Sequence, residues 1–243
     1  MKHLKTIISV LVLLVAVSCA KTPSAGSGQV NFGIASNQEI ADMTKSNVSD
    51  YTALPSAEDF TLSISGPEEY RWNGKISEWL PETILLAGEY SVTATYGSIE
   101  EEGFDKPYFT GSTTFQVNGG ETTEVSVPVR LGNTVVKIVC TENFQKYYKD
   151  YSFKASRTGI EIATFAKDEN KAAFVDGYLL TLSGTLVSET KTYEFSKSYS
   201  NLDPATAYTF TFDVSNVGGS SINITFKDGY TETVELGVYE LNE

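Results

Sequence analysis

TTFQVNGGETTEVSVPV (Thr113–Val129) and INITFKDGYTETVELGV (Ile222–Val238) decide the fold class of this chain. In the first, Phe115 and Val117 precede the turn residues Asn118, Gly119 and Gly120, and Val125, Val127 and Val129 follow at every second position. In the second, Ile222, Ile224 and Phe226 lead to the turn pair Asp228 and Gly229, and Val234, Leu236 and Val238 continue the alternation. A period of two marks a strand with one buried face, and Gly beside Asn or Asp accepts the positive φ of a tight reversal. Both stretches therefore predict β-hairpins.

The same period runs outward through VNFGI (from Val30), FTLSI (from Phe60), YSVTATY (from Tyr90) and VVKIV (from Val135). Helical spacing is scarce, with room for a turn or two in SAEDF and in ENFQKYYKDY. The chain is predicted to be all-β. Each predicted hairpin is preceded by a Leu, a short turn and a Tyr that opens a strand, Leu86 to Tyr90 and Leu202 to Tyr208. That order suggests two β-sandwich modules in tandem, 29–130 and 131–243, with the boundary near Leu131 to Asn133. Pro128 has no amide donor, so its strand is expected at a sheet edge or leaving its sheet there.

Upstream, MKHLK followed by IISVLVLLVAV is a basic end and an apolar run too short to span a bilayer, as in an export signal over residues 1–18. Ala16, Val17 and Ser18 before Cys19 resemble the lipobox of bacterial lipoproteins, which implies lipidation of Cys19 and an anchor in the membrane. The alternative is an ordinary secretory signal cut near Ala20. AKTPSAGSG then reads as a flexible tether, residues 19–28 including the cysteine.

With 31 acidic against 18 basic residues the net charge is −13, and losing Lys2 and Lys5 with the signal makes it more negative. Such a balance argues against nucleic acid as a partner. The sole histidine, His3, lies in the signal, which removes His-dependent nucleophilic catalysis and His-based metal sites from the remaining chain. No D-x-D-x-D-G spacing accompanies Glu100, Glu101, Glu102 and Asp105, or the Lys167–Asn170 stretch, and these read as solvated acidic loops. Neither a metal nor a cofactor is implied, and the chain is expected not to be an enzyme. Cys140, in an alternating apolar stretch, reads as a buried inert thiol.

Tyr70, Trp72 and Trp79 in YRWNGKISEWL are the candidate glycan contacts, because aromatic faces stack on the apolar faces of sugar rings. The competing reading is core packing. For DKPYFTGS (Asp105–Ser112), Pro107, the aromatic pair and Gly111 favour a structural role.

PETILLAGEYSVTATYG (Pro81–Gly97), DKPYFTGSTTFQV (Asp105–Val117), RLGNTVVKI (Arg130–Ile138) and FQKYYKDYSF (Phe144–Phe153) resemble a family of Bacteroidota lipoproteins known only as a domain of unknown function. More distantly, a lipobox followed by two sandwiches is similar to the fimbrillins, subunits and tip components of fimbriae. The resemblance implies two transthyretin-like or immunoglobulin-like sandwiches in series and a lipoprotein of the outer membrane. It also implies a fimbrillin-like adhesin, accessory or structural subunit whose partners are other fimbrial subunits or surface glycans. No arginine precedes Arg71, so the arginine-directed processing of some fimbrillins has no target near the first strand. The alternative function is a glycan-binding lipoprotein of a polysaccharide uptake system.

Overall fold

A computed structural model describes residues 26–40, 46–214, 221–226 and 230–239. Among these residues the fold is almost wholly β. The first half contains β1 (Ser27–Asn37), β2 (Thr61–Ser65), β3 (Arg71–Lys75), β4 (Leu85–Leu86), β5 (Gly88–Tyr96), β6 (Gly103–Phe104), β7 (Phe109–Val117) and β8 (Thr122–Leu131). Except for β6 they form one sheet in the order β3-β2-β5-β7-β8-β1-β4. Alternate residues on β5 (Tyr90, Val92, Ala94) and β8 (Val125, Val127, Val129) are buried and share one core with Val30, Leu62 and Ile64. The sheet therefore folds over on itself between β7 and β8.

That fold corrects the first predicted hairpin. β7 and β8 are joined by the expected turn, but their ladder consists of Phe109 opposite Leu131 and Thr110 opposite Arg130, at the end away from the turn. Strand alternation specifies which side chains face inward; it does not specify whether consecutive strands lie in one layer or in facing layers. β8 pairs instead along its length with β1, in parallel, from Gln29 opposite Thr122 to Asn37 opposite Arg130. A side chain on Gly111 of β7 would strike the Pro128 carbonyl, so the crossing is made by a residue without a Cβ against one without an N–H.

The second half contains β9 (Thr134–Cys140), α1 (Glu142–Tyr147), β10 (Asp150–Arg157), β11 (Ile160–Ala166), β12 (Ala173–Val175), β13 (Leu179–Val187), β14 (Thr192–Ser200), β15 (Ala207–Val214), β16 (Ser221–Phe226), β17 (Tyr230–Glu235) and β18 (Gly237–Tyr239). They form two sheets, β11-β10-β13-β14-β18 and β17-β16-β15-β9-β12, and β6 from the first half completes the latter at its edge. The second predicted hairpin is present: β16 and β17 pair with Ile222 opposite Val234, and its turn residues lie outside the described set. Leu236 is buried where the chain crosses to the other sheet, and β18 pairs with β14. Both expected helical turns occur, Ala57–Asp59 as a 3₁₀ turn and Glu142–Tyr147 as α1. In α1 the Thr141 hydroxyl accepts from the Phe144 amide at 3.2 Å, and Phe144 plugs the core among Tyr148, Tyr151, Phe153 and Phe212.

An internal repeat exists, in a different register from the predicted one. The order β3-β2-β5-β7 with β8-β1-β4 recurs as β11-β10-β13-β14 with β15-β9-β12, and in both copies the first strand runs parallel to the seventh. The structural counterpart of β7 and β8 is thus β14 and β15, and the β16–β17 hairpin is an addition to the second copy. The Tyr-led strands matched in sequence, β5 and β15, occupy different places. They share only a local device: the Tyr90 hydroxyl donates to the Leu86 carbonyl (3.0 Å), and the Tyr208 hydroxyl bonds Asp203 (3.2 Å).

The two copies lie end to end. β8 leaves the first sheet at Leu131 and β9 begins at Thr134 in another. β1 starts at one pole, β9 starts at the junction, and the β13–β14 turn with Tyr239 opposite Thr192 lies at the far pole. β1 already begins at Ser27, inside the expected tether of 19–28. Gly28 is close-packed there: a Cβ would strike the Asn118 and Glu121 carbonyls, so this glycine serves contact and not flexibility.

Candidate functional site

β3 and the 3₁₀ turn Ile76–Glu78 position the aromatic candidates. Trp79 is only 7% exposed, and its indole N–H donates to the Val30 carbonyl at 2.8 Å. Trp72 meets it edge-on at 5.1 Å, and Phe32 of β1 also meets it edge-on at 5.1 Å. Tyr70 packs edge-on against Tyr90 at 5.8 Å. The three residues are thus brought together with the core: Trp79 offers no face to solvent, while Trp72 and Tyr70 remain half-buried. Trp79 also covers the flank of β1, whose residues Gln29–Asn37 have no strand on the side away from β8.

The acidic stretch is divided in two by the fold. Glu101 is exposed and pairs with Lys106, and Asp105 pairs across the junction with Lys171 at 2.8 Å. Glu102 departs from the solvated reading. Its side chain is 6% exposed, meets the Arg157 guanidinium at 2.7 Å and accepts the Asp176 N–H at 2.6 Å, while Arg157 also reaches Asp176 at 2.8 Å. Burial pushes the Glu102 carboxyl above the usual carboxylate range, against the pull of that amide and of Arg157. β6, immediately after Glu102, enters the second half's sheet at Ala173 and Phe174, which carries the carboxylate to its partners. The sequence signal available was an acidic residue one step before a Gly-Phe pair; its partner lies 55 positions away.

DKPYFTGS is junction structure. The Tyr108 amide donates to the Asn133 side chain, the Tyr108 carbonyl accepts from Gly132 at 2.7 Å, and the Tyr108 ring lies where a Gly132 side chain would project. Phe109 is fully buried beside Phe60 and Tyr96. Val135 and Phe174 of the second half pack in the first half's core, so the junction is a packed interface. Cys140 is half-buried, and burial pushes its thiol up to about 12 despite the neighbouring Tyr151 hydroxyl, which leaves it unreactive at neutral pH. Cys19 lies outside the described residues. Among the described residues no three metal-type ligands converge, and no helix is long and apolar enough to cross a membrane.

A family profile described as Domain of unknown function (DUF4493) matches residues 26–238, a span that takes in both halves and the junction between them. The chain belongs to this family. DUF4493 membership agrees with the resemblance carried by the Pro81–Gly97 and Asp105–Val117 stretches. Solved structures similar to this DUF4493 chain include a fimbrial assembly protein from Parabacteroides distasonis, at 9% identity over 86% of this chain and 98% of that chain, TM-score 0.47. Another is a cell-adhesion candidate from Bacteroides ovatus, at 9% identity over 90% of this chain and 100% of that chain, TM-score 0.45. A third is a polysaccharide-binding candidate from Bacteroides thetaiotaomicron, at 10% identity over 86% and 98%, TM-score 0.39. Among curated proteins no match is found.

Proposed function

We propose that the protein is a non-enzymatic, lipid-anchored protein of the outer membrane that serves as a fimbrillin-like adhesin, accessory or structural subunit. The observation that carries this reading is the placement of the two chain ends. The N-terminal strand enters at one pole, eight positions after Cys19, and β18 lies at the other, so an anchor at Cys19 presents the far pole away from the membrane. The flank of β1 beyond Val30, whose carbonyl is taken by Trp79, adds a route to assembly. Unpaired backbone N–H and C=O groups template a further strand, and loss of β1 itself would bare the groove that holds Val30, Phe32 and Ile34. The C-terminal segment from Val234, strand-patterned and paired within this chain with β16 and β14, is the matching donor once it leaves those partners.

Mass spectrometry of the protein from its native membrane is expected to find acylated Cys19 at the N-terminus; an unmodified start at a later residue overturns the anchor. Removing residues 27–37 is expected to yield ladders by size-exclusion chromatography and electron microscopy, and these should vanish when Val234–Glu243 is also removed. A monomer in both cases overturns strand donation and leaves an accessory or tip role. The half-buried rings of Tyr70 and Trp72 favour a second reading, the glycan-binding lipoprotein of a polysaccharide uptake system. Trp72→Ala on a glycan array tests it, with unchanged binding counting against it.

A further inference from the structure

The described surface carries eight exposed large hydrophobic residues, and three of them fall within one seven-residue segment: Leu80 at 59%, Ile84 at 61% and Leu86 at 45% exposure. This segment is held in place, because Trp79 just before it and Leu85 within it are buried and the Thr83 N–H donates to the Leu80 carbonyl at 2.9 Å. It is also where the N-terminal chain arrives. Leu86 stands opposite Ser27 in the β1–β4 ladder, and the Ala87 N–H donates to the Gly26 carbonyl at 2.9 Å. We propose that this pole is a membrane-contact surface, in which Leu80, Ile84 and Leu86 insert among the lipids that hold the acyl chains of Cys19.

The proposal rests on the lipoprotein reading and deepens it. From Cys19 to Gly26 there are seven residue steps, a reach of at most about 25 Å, so the acylated cysteine keeps this pole near the bilayer. An apolar patch confined beside an anchor needs no electrostatic attraction to find lipid; proximity raises its effective concentration there. Charge decides the lipid class. No Lys or Arg occurs from Ile76 to Asp105 and the tether adds one, Lys21, whereas Glu82 within the segment and Glu89 just beyond it are exposed. Contact is therefore with neutral headgroups and the outer part of the acyl chains, and anionic lipid weakens it. The arrangement fixes the body's orientation, with the junction and then the second half projecting outward.

The test uses the acylated full chain, its Cys19 modification verified by mass spectrometry, in vesicles of phosphatidylethanolamine and phosphatidylcholine. A nitrobenzoxadiazole fluorophore is placed on Ile84→Cys, and separately on Lys191→Cys in the exposed β13–β14 turn at the far pole. Half-buried Cys140 stays unlabelled. The probe at position 84 is expected to be quenched by doxyl-labelled lipid and protected from aqueous iodide, with the opposite pattern at position 191. Adding phosphatidylglycerol should reduce the lipid quenching. A position-84 probe open to iodide and untouched by doxyl lipid, in a sample whose Cys19 is acylated, overturns the contact while leaving the anchor intact. Protection from both quenchers also overturns it, because protein and not lipid then covers the patch. An unacylated Cys19 overturns the anchor itself, read by mass spectrometry independently of the probe.

Discussion

The two halves solve one problem differently. Both arrange seven strands in the same order, with the first strand parallel to the seventh. In the first half β7 touches β8 at two residue pairs, so the strands make one folded-over sheet. In the second half β14 and β15 belong to separate sheets, and each has a neighbour from the C-terminal extension: β18 beside β14 and β16 beside β15. A strand order therefore leaves the treatment of its edges open. Local features set it: in one half the close approach of Gly111 to Pro128, in the other three additional strands. At the first strand of each copy the difference is one of degree: β4 pairs with two residues of β1 and leaves Gln29–Asn37 without a strand on that side, and β12 pairs with three residues of β9 and leaves Lys137–Cys140 without one, among the described residues.

The strongest way to break this picture of two distinct but joined halves is Phe212→Ala. Phe212 is fully buried in the second core against Phe144, Phe153 and Phe195, and its loss should cost about 3–5 kcal/mol. Both tryptophans lie in the first half, so tryptophan fluorescence reports that half alone. Because Val135 and Phe174 pack in the first core and β6 in the second sheet, denaturation followed by fluorescence should shift together with far-UV circular dichroism. A fluorescence midpoint that stays put would establish independent halves.

A smaller effect sharpens the role of the junction. Glu102→Ala strands Arg157 with Asp176 as its remaining partner and leaves the Asp176 N–H unpaired, for an expected loss of about 2–3 kcal/mol, below the full cost of a wholly buried pair because Arg157 is partly exposed. The same variant should separate the fluorescence and circular dichroism midpoints if this contact couples the halves; coincident midpoints would assign the coupling to apolar packing. Smallest is the paired comparison of Tyr90→Phe and Tyr208→Phe. Tyr90→Phe removes one hydroxyl bond, donated to the Leu86 carbonyl, and should cost about 1 kcal/mol by chemical denaturation; Tyr208→Phe removes two, one donated to the Asp203 carboxylate and one accepted from the Asp203 N–H, and should cost about 2 kcal/mol. Equal losses would show that the second bond at Tyr208 adds nothing to stability.

Much of the candidate surface was legible only as chemistry without geometry. YRWNGKISEWL announced three aromatic residues, and alternation could not say that Trp79 would donate to Val30, 49 positions earlier. EEE announced charge, and nothing local distinguished Glu102 from Glu101, though one is buried against Arg157 and the other faces water beside Lys106. The apolar patch was hidden for the opposite reason. Ile84, Leu85 and Leu86 read alike, and only the pairing of Leu85 and Leu86 with Gly28 and Ser27 turns Leu85 inward and leaves its neighbours exposed.

What the amino-acid order determined by itself was what near neighbours set: the all-β class, the alternation of the strands, the turn glycines and the Thr141 cap of α1. These follow from side-chain alternation and backbone preference over a few residues, which act before any distant contact forms. Tertiary structure alone decided which strands share a sheet, that β7 and β8 face each other across a core, that β6 crosses to the second half, and that the true repeat pairs β8 with β15. Strands of the same pattern are interchangeable to a local rule. What selects among their pairings is the burial available when all the faces meet, as at Gly28 and Gly111, where a single Cβ would keep the chains apart.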